Sequence, residues 1–387
     1  MSKNFLWPIL TFAVLTACDN SSNTNKTNKV DNQTSEKDTI TEEMVNGVIV
    51  TNYYGTKVKD PYRWLENDTA QNTKEWVTAQ NQKTKGYLDA IPYRQALKNR
   101  LEVIWNYPKY SAPGKHGNKY YYFGNTGLQA QSVLYVSNSI KGEGKVFLDP
   151  NSFSEDGTVS LSGLSFSDDD KYLAYGVASA GSDWVEWRVM EVETKKLLND
   201  HIKWTKFGGA SWYKDGFFYT KFPEPKEGEE YSAKNTNGQI LYHKLGTKQT
   251  DDVLIWEDLK NPSYYNFGRV TEDGQYFVLT QSKGTHGENL KVLRLEGDLT
   301  KMPAFVDVIT DFDNDHSVFS TKGANLLVKT NRNAPDYKVV EIDLNNVAEE
   351  NWKEIIPESE NTLTNVETGG GRMFLTYLIN ASERVYV

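Results

Sequence analysis

Two serines stand in settings that resemble a nucleophile's: Ser165 in Gly163-Leu164-Ser165-Phe166-Ser167 and Ser211 in Gly209-Ala210-Ser211-Trp212-Tyr213. A serine hydrolase sets its nucleophile on a sharp strand-to-helix turn with glycine on both sides, so that the backbone can bend and the oxyanion donors can approach. Both segments lack the second glycine and both read as strand, and no G-x-S-x-G occurs in the chain. Neither serine is expected to attack a carbonyl. The histidines, His116, His201, His243, His286 and His316, have no partner at metal-ligand spacing and read as turn or strand-edge residues. Asp311-Phe312-Asp313-Asn314-Asp315 has the look of a calcium loop, but His316 stands where such a loop needs glycine and Lys322 where it needs the closing glutamate. An acidic connecting loop is expected there. Gly369-Gly370-Gly371 reads as a turn before a strand from Met373 and not as a phosphate cradle. Cys18 is the single cysteine, so no intrachain disulfide and no thiolate metal site can form.

The elements that would position any site are repeats. Six times the chain writes a tight Gly, Asp or Asn turn followed by a strand of aromatic and β-branched residues: GKHGNKYYYFG, SDDDKYLAYGV, YKDGFFYTKF, TEDGQYFVLTQ, TKGANLLVKTN and TGGGRMFLTYL. Aligned on Tyr120, Tyr172, Phe218, Tyr276, Leu326 and Phe374, the copies recur every 46 to 58 residues. That spacing suits a four-stranded propeller blade of about 40 to 50 residues. Asp-Gly pairs at Asp156, Asp215 and Asp273 are read as hairpin turns. A mainly β fold follows, an incomplete β-propeller over residues 111–387 with about five and a half blades.

Ahead of the repeats the texture differs. Lys3, an apolar run from Phe5 to Val14 and then Leu15-Thr16-Ala17-Cys18 have the charged, hydrophobic and small-residue regions of a secretory signal. The Leu-Thr-Ala-Cys ending resembles a bacterial lipoprotein signal, which implies lipidation at Cys18 after removal of the preceding residues. An ordinary signal peptide with an incidental cysteine is the alternative. No other apolar run approaches the ~18 residues of a membrane span, so the expectation is a protein tethered to a membrane and not threaded through it. It would sit in the bacterial cell envelope, with its folded part in the periplasm or outside the cell. Residues 19–46 lack aromatics and are too polar to offset their ordering entropy; they read as a disordered tether reaching on the order of 30 Å.

Residues 47–110 read as a helical N-terminal segment. Trp76, Val77, Gln80, Thr84, Tyr87 and Leu88 share one helical face, with Asp68 or Thr69 as start signal. A second helix has Pro92 in its first turn, Leu97, Leu101, Ile104 and Trp105 as its stripe, and Pro108 beyond its end. These stripes must lie on the propeller or on a further domain. The net charge of −9 argues against a phosphate-binding surface, so no nucleic-acid partner is expected.

Asp60-Pro61-Tyr62-Arg63-Trp64-Leu65-Glu66, Trp76 to Asn81, Tyr107-Pro108-Lys109-Tyr110-Ser111, Asn125-Thr126-Gly127-Leu128-Gln129, Val146 to Asn151, Asp156-Gly157-Thr158-Val159 and Ala178 to Trp184 occur in order. In this order they resemble the prolyl oligopeptidase family, over about Val48 to Val387. The resemblance implies a seven-bladed propeller capping an α/β-hydrolase domain that follows it, the helical segment packing on the latter. It implies a serine endopeptidase cutting short proline-containing peptides after proline, with no metal or organic cofactor and a monomeric state. It also implies that residues 1–387 hold the helical segment, five blades and part of a sixth, with the catalytic triad elsewhere. On that reading the 387 residues alone are expected to be inactive and poorly soluble.

The resemblance carries over two substrate-binding positions. Phe207, in Lys206-Phe207-Gly208-Gly209-Ala210-Ser211-Trp212, matches an aromatic of the pocket for the residue two before the cleaved proline, its alternative being a core phenylalanine. Tyr265 stands where the family has a pocket methionine. Asp183, in Gly-Ser-Asp-Trp, is a candidate for the face between the domains, with turn capping as the alternative. Two other readings compete: a standalone propeller lipoprotein binding peptides in its tunnel, and an interaction propeller at the membrane surface. Both leave the helical segment without a role.

Overall fold

The computed structural model describes residues 40–300 and 304–387, so Cys18, the signal and most of the tether lie outside the described residues. The chain divides after Leu65. In the first unit, the strands Ile40–Val45, Val48–Tyr53 and Thr56–Asp60 form an antiparallel sheet. Its two turns are Asn46-Gly47 and Tyr54-Gly55, each with both residues at positive φ, the twist that two-residue hairpins require. The expected helical texture from residue 47 and tether to residue 46 are therefore corrected over residues 40–60, which are strand.

In the second unit, helix α1 (Gln71–Asp89) starts after Ala70, which contributes no side-chain cap. Asn67 serves that end instead, its Oδ1 accepting from the Ala70 N–H at 3.1 Å. Helix α2 (Arg94–Trp105) starts after Tyr93, so Pro92 precedes the helix and does not lie in its first turn. No residue of α2 is buried among the described residues, and its Leu97, Leu101, Ile104 and Trp105 stripe is exposed.

Six antiparallel blades follow in chain order, blades 2 and 3 joined into one sheet where Thr205 pairs with Lys221. Blade 1 is built on Lys119–Asn125, which pairs with Lys109–Tyr110 and Gly114–His116 on one side and with Val133–Ser137 on the other. Blade 2 runs from Val159–Phe166 to Leu197–Thr205, blade 3 from Ser211–Tyr213 to Val253–Trp256, and blade 4 from Tyr265–Val270 to Val306–Ile309. Blade 5 runs from His316–Lys322 to Lys353–Ile356, and the last sheet has three strands ending at Ser382–Tyr386. Asp215-Gly216 and Asp273-Gly274 do turn hairpins; Asp156-Gly157 does not, because the segment before it is a short 3₁₀ turn, Pro150–Ser152, and not a paired strand.

The core lies between the blades. Neighbouring sheets pack face to face in five apolar clusters, and successive residues of one strand serve two of them. Phe217 lies in the cluster between blades 2 and 3, while Phe218 lies in that between blades 3 and 4. Phe277 and Val278 divide in the same way between the clusters on either side of blade 4. Side chains alternate across a strand, so a strand buried on both faces reads as a continuous apolar run. Each fully buried ring contributes about 1.5–3 kcal/mol.

Candidate functional site: an aromatic ledge between blades 2, 3 and 4

The connection from blade 2 to blade 3 is short and strained. Trp204 and Phe207 both adopt left-handed backbone, φ +60° and +55°, a conformation that disfavours residues with a side chain. The bend turns Phe207 away from either core: its ring is 40% exposed, meets Tyr265 edge-on at 5.5 Å between centroids, and meets Phe222 at 6.0 Å. Tyr265 opens the first strand of blade 4 and stands over Phe267 at 6.5 Å. Two residues far apart in sequence thus form one ledge.

The ledge is held from behind by Lys206, only 6% exposed. Its Nζ lies 3.9 Å from the centroid of the Trp184 ring and donates to Asn235 Oδ1 at 3.0 Å. Burial lowers its pKa, and the charge of Asp183 opposes the shift. Trp184 is fixed in turn, its Nε1 donating to the Glu230 carbonyl at 2.7 Å. Asp183 itself is exposed, and the cap of its turn comes from Ser182, whose Oγ accepts from the Trp184 N–H at 3.0 Å. The structure therefore brings Asp183, Lys206, Phe207 and Tyr265 to one region. Sequence reasoning missed Lys206 and Trp184, although both flank residues it singled out.

The other candidates have structural employment. Ser211 Oγ accepts from the Val270 N–H at 2.8 Å and ties blade 3 to blade 4, and the Ser165 carbonyl accepts from Trp212 Nε1 at 2.9 Å. Asp311 is bound to Arg332, whose hydrogen bond, against the effect of burial, holds its carboxyl below the usual carboxylate range. Gly370 and Gly371 take positive φ in a hairpin turn. Two histidines depart from the expected turn or strand-edge setting. His243 is fully buried between Asp200 and Asp252. His316 is buried with Nδ1 2.9 Å from Thr330 Oγ1, and its pKa is lowered to about 4, chiefly by burial and then by the Arg332 charge.

Residues 44–387 match the family model described as prolyl oligopeptidase, N-terminal β-propeller domain. The chain belongs to the prolyl oligopeptidase family. Among relatives of this propeller, prolyl endopeptidase from Elizabethkingia meningoseptica is 42% identical over 334 residues, covering 86% of this chain and 46% of the relative. Prolyl oligopeptidase A from Amanita bisporigera is 34% identical over 362 residues, covering 86% of this chain and 47% of its own. The chain thus spans about half the length of the curated relatives it matches. A solved structure of prolyl oligopeptidase B from Galerina marginata, bound to a 35mer hydrolysis and macrocyclization substrate, superposes with a TM-score of 0.76 at 31% identity, over 86% of this chain and 49% of that one. The prolyl oligopeptidase propeller accounts for the blades.

Proposed function

We propose that this propeller walls and gates the substrate site of a serine endopeptidase that cleaves short peptides after proline. The observation that carries the reading is the Phe207–Tyr265 pair: an exposed ring held in strained backbone against a second ring, at the two positions to which the family resemblance carries a substrate pocket. Strain of about 1–2 kcal/mol in a non-glycine residue is retained where the surroundings demand that geometry. Lys206 and Trp184 supply the support, and Asp183 supplies charge at the rim. Because residues 1–387 contain no G-x-S-x-G, the bond-breaking groups belong outside them, in an α/β-hydrolase domain. The 387 residues alone are inactive in this reading.

The protein is read as a monomer, lipidated at Cys18 and held at the cell envelope by the residues between that anchor and the first strand at Ile40, with the propeller from Lys109. Its support is the Leu15-Thr16-Ala17-Cys18 ending. Cys18→Ser should move the protein from the membrane pellet to the soluble fraction.

The decisive test is to express the reading frame with whatever follows codon 387 and to assay a Gly-Pro peptide reporter. Cleavage by the longer product with a KM raised by Phe207→Ala supports the reading. Cleavage after proline by the purified 387-residue chain would overturn it.

A further inference from the structure

Blade 4 presents a second row of functional side chains beyond the ledge. In its ladder Tyr265 lies opposite Ser282, Phe267 opposite Thr280, Arg269 opposite Val278, and Ser282 in turn opposite Glu288. Directly opposed residues of an antiparallel pair project from the same face. Tyr265, Phe267 and Arg269 therefore follow one another along the face that looks toward blade 5, with Glu288 level with the Tyr265 end. Deeper on this face Val278, Leu290 and Val292 are sealed against Val318 and Leu326. Toward the inner strands the blades part, and a cleft of about 290 Å³ opens between Tyr265–Val270 and His316–Lys322, lined by Phe267, Arg269, Thr280, Glu288, His316 and Ser317.

Arg269 is unusual among the arginines of blades 4 and 5. Arg294 is paired with Glu296, and Arg332 with Asp311 and Glu349. Among the described residues the Arg269 guanidinium makes no hydrogen bond and no ion pair, although a chain of net charge −9 has acidic partners in plenty. A planar fork of five donors with no acceptor, lining a concavity, matches a carboxylate bound through two parallel hydrogen bonds. The other end of the cleft repels one. Glu288 lines the cleft there, and its carboxylate disfavours a second anion beside it. Four strand positions separate the two ends, about 13 Å, the length of an extended peptide of about four residues.

We propose that this cleft binds the free C-terminal carboxylate of a short peptide on Arg269, with Phe267 flanking the terminal side chain and Glu288 fixing the direction. The ligand class rests on the peptide reading above, because Tyr265 begins the same row; the carboxylate rests on Arg269 alone. A cleft that reads a free C-terminus would favour short peptides over internal segments of long chains.

The test titrates the 387-residue chain at low salt with three probes: Ala-Ala-Phe as the free acid, the same peptide as its amide, and Ala-Ala-Glu amide. The free acid should bind at least tenfold more tightly than Ala-Ala-Phe amide, and R269Q should reduce it to the amide's affinity while leaving the melting temperature unchanged. Equal affinities of acid and amide, an acid preference that survives in R269Q, or no binding of any probe at millimolar concentration would each overturn the proposal. So would Ala-Ala-Glu amide binding as tightly as the free acid, since the carboxylate would then be a side chain's. The effect of Phe207→Ala on proline cleavage by the longer protein judges the ledge separately, so either reading can fail without the other.

Discussion

His243 and Asp252 share a hydrogen bond of 2.7 Å at which neither side chain has any exposure to solvent. The other ring nitrogen of His243 lies 3.0 Å from Asp200, itself 2% exposed. Asp200 comes from the last strand of blade 2, His243 from the third strand of blade 3, and Asp252 from the turn before that blade's last strand. Tyr219 OH donates to Asp252 and the Gly246 N–H to Asp200, while the Phe217 ring packs on the imidazole at 5.4 Å. Both contacts can be hydrogen bonds to carboxylates only if the imidazole holds two protons. Burial lowers the His243 pKa, but the bonds and charges of Asp252 and Asp200 outweigh it and leave it raised above the ordinary value.

The pH dependence follows from that direction. A group whose pKa is raised on folding contributes stability that is fully present below its unfolded pKa, about 6.5, and is lost as pH rises through the folded value. The melting temperature should therefore fall from neutral toward alkaline pH by more in the native chain than in His243→Gln. That variant should itself lose about 3–5 kcal/mol at neutral pH, because two buried carboxylates lose their shared cation. A native-minus-variant difference that does not shrink with rising pH would contradict the assignment.

Phe207→Gly separates geometry from recognition. Glycine takes positive φ without strain, and the Phe207 ring is partly exposed, so urea unfolding should change by less than about 1 kcal/mol in either direction. The longer protein carrying this variant should nevertheless show a raised KM for proline peptides. A large loss of stability would make Phe207 a packing residue instead.

Gly287, in the turn before the third strand of blade 4, meets the connection to blade 5 at a point with no room. Its φ is +76°, and a Cβ there would stand 1.7 Å from the Phe312 carbonyl oxygen. Its N–H also donates to Asp315 Oδ1 at 2.9 Å. Gly287→Ala should cost more than about 2 kcal/mol, read as a lowered urea midpoint, since both the backbone strain and the clash with main chain act together.

Phe217 and Phe218 offer a test of the two-faced strand. Each is fully buried, in different clusters, so Phe217→Ala and Phe218→Ala should each cost about 3–5 kcal/mol. Tryptophan fluorescence should distinguish them: Trp212 and Trp187 share the cluster of Phe217, whereas Trp256 packs against the cluster of Phe218. A single common change in emission would argue against separate cores.

Much of this was legible in the residues because blade strands and turns are local. The repeats at Tyr120, Tyr172, Phe218, Tyr276, Leu326 and Phe374 each fall in a strand of a separate blade. The sheet over residues 40–60 escaped because Ile40–Val45 carries two glutamates at its centre and buries no residue, so it shows no alternation, although Asn46-Gly47 is a hairpin signal in its own right. By itself the sequence determined the mainly β class, the blade order and the family, since alternation, turn residues and ordered motifs need only near neighbours. Only the tertiary structure decided that Phe207 meets Tyr265, that His243 is clamped by Asp200, and that Arg269 faces a cleft without a partner. Those relationships join different blades, and which side chains meet between blades is set by how sheets twist and pack, a geometry that no local pattern encodes.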